Sequence, residues 1–345
     1  METKRIEYMD ALRGLAIFLM VMGHVLAWIY TDYKQAFESN LYCGFLWKFI
    51  YSFHMPLFVF VSGYFFVLKF NGNISKESAI FICKKFVALL IPFVTMGFLL
   101  RVVRDNGVEY WFLRSLFELF VLCLPLYLLS NFITGKLKYI NKTGGLLIDF
   151  LLFALGFAVF FVVFGSLNPE LKTIFDTESL KRLYPYFIFG LLLRKYDLLQ
   201  KIISKNIVYS LSLIIFLTLF FVSTFGYLNG FGFLLTVTIG FPAIFVLYYF
   251  FKNSLNEGRS FKVFSLLGKR SIEIYLIHFF FAFKLTELGE YLAGITFYGT
   301  SLLIQIVYST VVSIIIIAIS LGIANVISSS KILSFMLLGK MFKLI

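Results

Sequence analysis

The sequence predicts an all-α fold: a polytopic helical membrane protein of about ten transmembrane helices, both termini cytoplasmic. Three observations carry this. Of the 345 residues 60% are hydrophobic and 14% charged, with 46 Phe, 20 Tyr and a mean hydropathy of +0.92. A soluble domain is nearer half apolar and a quarter charged. Apolar runs of about 20 residues, enough to cross a hydrocarbon core, recur along the whole chain. The basic residues between the runs alternate in number. The N-terminus and the even-numbered connections hold 21 of the 31 Lys and Arg, the opposite side 9, and Arg13 completes the count. Such a bias is expected where basic loops stay in the cytoplasm.

The runs lie at roughly 12–31, 45–69, 79–103, 110–130, 145–165, 182–195, 206–226, 231–251, 271–289 and 299–327. The first, inside YMDALRGLAIFLMVMGHVLAWIY, is too long for a signal-peptide core and lacks a small-residue cleavage site, so it is a span. The second holds SFHMPLFVFVSGYFF, the third runs from CKKFVALLIPF to Arg101 and Arg104, and the fourth opens with YWFLRSLFELF. The fifth ends before NPELKTIFDTESLKR (168–182), the longest external connection, most simply a solvated loop and otherwise a candidate acceptor lid. The sixth is short, begins at Tyr184-Pro185, and is tilted or partly re-entrant. The seventh and eighth follow the basic connection through Lys201 and Lys205, the ninth holds LGKRSIEIYLIHFFF, and the tenth precedes Lys331. With no soluble segment longer than a loop and no repeat, residues 1–345 read as one membrane domain.

The net charge of +13 is cytoplasmic anchoring. Nucleic acid, which would need a soluble basic face, is not expected as a partner. Cys43, Cys83 and Cys123 are scattered without CxxC spacing and read as lone apolar thiols, with no metal site.

The first span carries the chemistry. Eleven residues from Arg13 to His24 make about 3.1 helical turns, so the two share a face with His24 about 16 Å deeper. Asp10 precedes Arg13 by three residues, close enough to pair with it. Gly14 and Gly23 keep this face narrow for another helix or a ligand. A desolvated imidazole stays neutral and accepts a proton at pH 7, which suits a general base acting on a hydroxyl. A guanidinium at the mouth suits phosphate or carboxylate. The plainer reading makes Asp10–Arg13 an interfacial pair and His24 a packing residue; polar groups at membrane depth favour function.

Further residues could line the site. His54 stands near the start of the second span, and Ser62-Gly63 lets helices pack closely. Glu118 lies about 10 Å past Trp111 and either pairs with Arg114 or lines the site. Glu273, Tyr275 and His278 follow Lys269-Arg270, with His278 about 12 Å beyond Arg270, near the depth of His24. Arg101 and Arg104, beside Asp105, Glu109 and Trp111, serve equally as a snorkelling rim or an acceptor contact.

RIEYMDALRGLAIFLMVMGH resembles the first-span motif of the membrane acyltransferase 3 family, in which the aligned Arg and His are regarded as essential. SFHMPLFVFVSGYFF, CKKFVALLIPF, YWFLRSLFELF, YFIFGLLLRKY and LGKRSIEIYLIHFFF resemble later motifs in the family's order, to about residue 281. The chain departs from the pattern where Lys84-Lys85 replaces two arginines and Ala88 a third basic residue.

The resemblance implies a membrane-bound O-acyltransferase of a bacterial inner membrane. Acyl-CoA, most simply acetyl-CoA, is then a co-substrate rather than a bound cofactor, its phosphates on Arg13, Lys84, Lys85 and Arg270. His24 deprotonates the hydroxyl of a sugar in a surface glycan or its lipid-linked precursor, with Asp10 and Arg13 completing the catalytic group. Acetyl or succinyl transfer, and direct transfer or an acyl-histidine relay, stay open alternatives. The rival reading is a proton-coupled transporter or flippase of glycan or lipid, which buried His and Glu would also suit.

Overall fold

The computed structural model describes residues 6–29, 41–68, 73–104, 110–136, 141–224, 232–254, 257–281, 283, 285–295 and 298–341. Among them about 90% are helical and none is in a strand. Lys4, Arg5, Lys34, Lys69, Lys138, Lys284 and Lys343 of the charge count, with Asp105 and Glu109, lie outside the described residues. The chain divides into two compact units, residues 1–58 with 206–329 and residues 59–205 with 330–345.

The first unit holds α1 (Glu7–Ile29), α2 (Leu41–Tyr51) and the start of α3 (His54–Tyr64), which continues into the second unit. The second unit then holds α4 (Ile74–Lys85), a π-helical turn (Phe86–Leu90), α5 (Ile91–Arg104), α6 (Trp111–Lys136), α7 (Lys142–Gly165), α8 (Pro169–Ile174), α9 (Thr177–Lys195) and α10 (Asp197–Ile203). The chain returns to the first unit for α11 (Asn206–Thr224), α12 (Gly232–Tyr249), a π turn (Phe250–Ser254), α13 (Arg259–Lys269), α14 (Ser271–Ile277) with a 3₁₀ turn (His278–Phe281), α15 (Thr286–Gly294) and α16 (Tyr298–Ser329). Finally α17 (Lys331–Leu338) joins the second unit.

Among the described residues seven helical stretches are long and apolar enough to cross a membrane: Glu7–Ile29, Gly44–Tyr64, Ile74–Arg104, Trp111–Lys136, Lys142–Gly165, Asn206–Thr224 and Gly299–Ser329. They coincide with seven of the ten expected runs. The expected eighth and ninth correspond to shorter apolar helices, Val237–Asn253 and Ser271–Phe281.

Local chemistry sets several boundaries. Asn73, Asn141 and Ser330 cap α4, α7 and α17, each side chain accepting a backbone N–H three residues on. Gly339, at φ 62°, ends α17 in the left-handed conformation. Pro92 follows the π turn for a steric reason. Its ring would strike the carbonyl four residues back, and the widened turn lets Ile91 N–H reach Phe86 O instead.

Two expectations need correction. The sixth run does not begin at Tyr184-Pro185: α9 starts at Thr177 and carries Pro185 inside it, as packed membrane-protein helices tolerate. Nor is 168–182 a plain loop. It forms α8 and the first turns of α9, separated by Asp176 at φ 40°.

Each unit is closed by a reciprocal glycine crossing. In the first, a Cβ on Gly14 would strike the Phe264 carbonyl and one on Gly268 the Asp10 carbonyl, so α1 and α13 meet backbone to backbone. In the second, Gly63 stands against the Phe187 carbonyl and Gly190 against the Phe60 carbonyl, locking α3 to α9. Without a hydrophobic driving force in lipid, such approach is what holds helices together. Aromatic side chains fill the interior of each unit. Phe53, Phe216 and Phe220 pack with Phe45 and Phe49 in the first unit, and Phe66, Phe120 and Phe187 in the second.

Candidate active site

All three histidines lie in the first unit. His24 sits about three-quarters of the way along α1, His278 heads the 3₁₀ turn after α14, and His54 opens α3. His24 Nδ1 and His278 Nε2 are 3.1 Å apart, and the rings stack with centroids 5.2 Å apart. The expectation that the two share a depth is met by direct contact.

The rest of the hydrogen bonding orders the protons. His278 Nδ1 lies 2.8 Å from the Tyr275 carbonyl and 3.1 Å from that of Ile274. Carbonyls only accept, so Nδ1 carries the proton, and in the neutral ring Nε2 is an acceptor. His24 Nδ1 therefore donates to it, which leaves the lone pair of His24 on Nε2. Among the described residues His278 is the one hydrogen-bond partner of His24. His24 is half-buried whereas His278 is fully buried, so the ring with the available lone pair is the reachable one.

Aromatic rings build the walls. Trp28, one turn beyond His24, stacks 6.0 Å from it, and Phe279 lies at 4.9 Å. Tyr51 presents an edge at 6.4 Å and also meets His54 at 4.6 Å. His54 Nδ1 donates to the Ile50 carbonyl at 2.8 Å. His54 thus borders the aromatic cluster without a hydrogen bond to the pair. Tyr275, also buried, turns its ring to His278 and Phe279 at about 6 Å.

The charged end of α1 lies against the α13–α14 corner. Arg13 pairs with Asp10 at 2.7 Å, as its spacing predicts, and its Nε donates to the Gly268 carbonyl at 2.7 Å. Two residues past Gly268, Arg270 pairs with Glu273 through Nε at 2.6 Å and reaches the Leu321 carbonyl at 3.4 Å. Arg13 and Arg270 are thereby gathered at one end of the unit, each partly exposed and each neutralised by a buried carboxylate. By helical rise that end is about 16 Å from His24 along α1 and about 12 Å from His278.

The remaining expected residues belong to the second unit. Lys84 is exposed, and the Lys85 ammonium stands 4.1 Å over the Phe120 ring. Ser62 is half-buried beside the Gly63 crossing, and Trp111 meets Phe112 edge-on at 6.0 Å. Glu118 pairs loosely with Arg114 at 3.9 Å.

Sequence reasoning missed a buried network in this unit. Asp149, fully buried in α7, accepts from Ser130 at 2.6 Å and Tyr196 at 2.7 Å and pairs with Lys195 at 2.7 Å. Asp149 is a lone carboxylate in an apolar run, which is itself a signal. Also unremarked was a row on α16 at four-residue spacing, Ser301, Gln305, Ser309 and Ser313, all fully buried.

A family model described as an acyltransferase domain matches residues 6–105 and 108–325. The nodulation protein NolL of Mesorhizobium japonicum is 28% identical over 132 residues, covering 33% of this chain and 34% of that protein. The chain thus matches about a third of that relative's length. No solved structure matches the chain.

Proposed function

Because the chain belongs to the acyltransferase 3 family, whose domain covers most of it, we propose that it is a ten-span inner-membrane enzyme with cytoplasmic termini, transferring an acetyl group from acetyl-CoA to a sugar hydroxyl. Arg13 and Arg270 receive the phosphates of the donor at the charged end of the first unit. Asp10 and Glu273 hold those guanidiniums in place. The slender pantetheine arm covers the distance of about 12–16 Å to the histidines.

His24 Nε2 takes the proton of the acceptor hydroxyl as its oxygen attacks the thioester carbonyl. The tetrahedral adduct collapses with cleavage of the C–S bond, and the proton on His24 passes to the departing CoA sulfur. His278 acts through His24: accepting from Nδ1, it keeps the attacking side of the ring deprotonated. The acceptor belongs to a surface glycan or its lipid-linked precursor.

The observation that carries this reading is the His24–His278 hydrogen bond, with the far nitrogen of His278 already committed to carbonyls. Its test is release of free CoA thiol from acetyl-CoA by the purified protein with a crude glycan extract, wild type against His24→Ala. Turnover abolished in the variant supports the enzyme. Absence of turnover together with absence of acetyl-CoA binding in the wild type rejects it in favour of transport.

A further inference from the structure

The second unit contains a cleft of about 520 Å³ that acyl transfer leaves unexplained. One wall is Phe86, Leu90, Phe93 and Val94, where α4 passes through its π turn into α5, and Phe175 also lines the cleft. The volume is that of an ordinary small-molecule site. Its rim residues Phe86, Val94 and Phe175 are 48%, 63% and 40% exposed, on helices apolar enough to cross a membrane or next to them. The opening therefore faces lipid.

Two charged groups stand inside this apolar wall: Arg114 and Glu118 of α6. Their contact, at 3.9 Å, is too long for a hydrogen bond. Glu118 Oε2 and Arg114 Nε are both buried and have no hydrogen-bond partner among the described residues. Such groups in a hydrocarbon environment are costly unless a partner completes them.

The second charge on Arg114 comes from Asp176, 3.8 Å away and fixed by Ser115 at 3.0 Å. Asp176 adopts φ 40°, a left-handed conformation that L residues adopt at a cost, and the same turn delivers Phe175 to the cleft.

We propose that this cleft binds one uncharged, hydroxyl-bearing lipid drawn from the bilayer, its chain against α5 and its headgroup hydroxyl bridging Glu118 and Arg114. A hydroxyl is the group that fits, because it donates to the Glu118 oxygen and accepts from the Arg114 nitrogen at once. Two carboxylates around one guanidinium oppose a phosphate. The wall starts at Phe86, which meets the Phe117 ring beside Glu118 at 6.1 Å, and runs about 13 Å to Thr95, a length for the chain. This inference does not rest on acyl transfer.

The test is photolabelling of the full chain in nanodiscs, with no acyl donor present, by a monoacylglycerol carrying a diazirine in its chain. Labels should map to the peptides holding Phe86–Thr95 and Arg114–Glu118. Val94→Trp, which fills the cleft, and Glu118→Leu, which removes the acceptor, should each lower labelling about tenfold, the worth of one hydrogen bond to a carboxylate. Val159→Trp, exposed on α7 away from the cleft, should not lower it. Unlabelled monooleoylglycerol should compete about tenfold better than methyl oleate, which has the chain without the hydroxyl. Labelling unchanged in Val94→Trp, equal competition by methyl oleate, or stronger competition by anionic phosphatidylglycerol would each overturn the proposal.

Discussion

His24 and His278, 254 residues apart in sequence, share a hydrogen bond of 3.1 Å whose direction is set by two backbone carbonyls behind His278. In the reaction proposed above, the pair acts as an oriented unit rather than as two independent bases. His278 needs nothing from a substrate to hold His24 in the tautomer with Nε2 unprotonated.

Removing the base and removing its orienting partner should therefore differ. His24→Ala should lower kcat by about 10²–10⁴, the range for a lost general base. His278→Ala should lower kcat by a smaller factor with KM for acetyl-CoA unchanged. His278→Gln, which retains an acceptor, should recover part of the loss. Imidazole nitrogen NMR shifts of His24 should report the Nε2-deprotonated tautomer in the wild type and a mixture in His278→Ala; an unchanged shift would remove His278 from the mechanism.

The arginines should affect donor binding instead. Arg13→Ala and Arg270→Ala each remove a cation from the charged end, and a charge-assisted hydrogen bond contributes about 1.5–3 kcal/mol. KM for acetyl-CoA should rise about ten- to a hundredfold, more at low salt than at high, as titrating initial rates against donor concentration would show. An effect confined to kcat would place the phosphates elsewhere.

The glycine crossing should tolerate no methyl group. In Gly14→Ala or Gly268→Ala the new Cβ meets a backbone carbonyl that has no rotamer to yield, so overpacking of about 1–3 kcal/mol or more is expected. Gly135→Ala, with open space around it, is the control. Thermal unfolding in detergent should rank both crossing variants well below it.

Asp149 gives the largest expected loss. Asp149→Ala leaves the Lys195 ammonium without its buried carboxylate, and breaking such a pair costs about 3–5 kcal/mol. The double variant Asp149→Leu with Lys195→Met should recover much of the lost unfolding midpoint, because a matched apolar pair carries no desolvation penalty. Failure of the double variant to recover would mean that Ser130 and Tyr196 depend on the carboxylate more than Lys195 does.

Much of this was legible in the chain. The long apolar runs marked the seven membrane-length helices, because in lipid a helix must satisfy its own backbone and hydropathy alone reveals it. Asp10 and Arg13 were paired from their spacing, since three residues along a helix is a contact distance. Where the reading failed, a tertiary neighbour had changed the local rule. Pro185 marked a helix start by propensity, yet α9 runs from Thr177 straight through it. The run around Asp149 hid a carboxylate whose partners, Lys195 and Tyr196, come from the far end of α9 and the residue that caps it.

By itself the sequence determined the helical membrane class, the family motif of the first span and the stripe from Arg13 to His24, all of them short-range consequences of side-chain type and helical period. The tertiary structure decided what each polar group faces. Gly14 and Gly268 let α1 and α13 touch backbone to backbone, which draws Arg13 to the Gly268 carbonyl, while His24 meets His278 of the neighbouring α14–3₁₀ segment. No periodicity encodes that meeting, because contact between residues distant along the chain depends on how closely two helices approach.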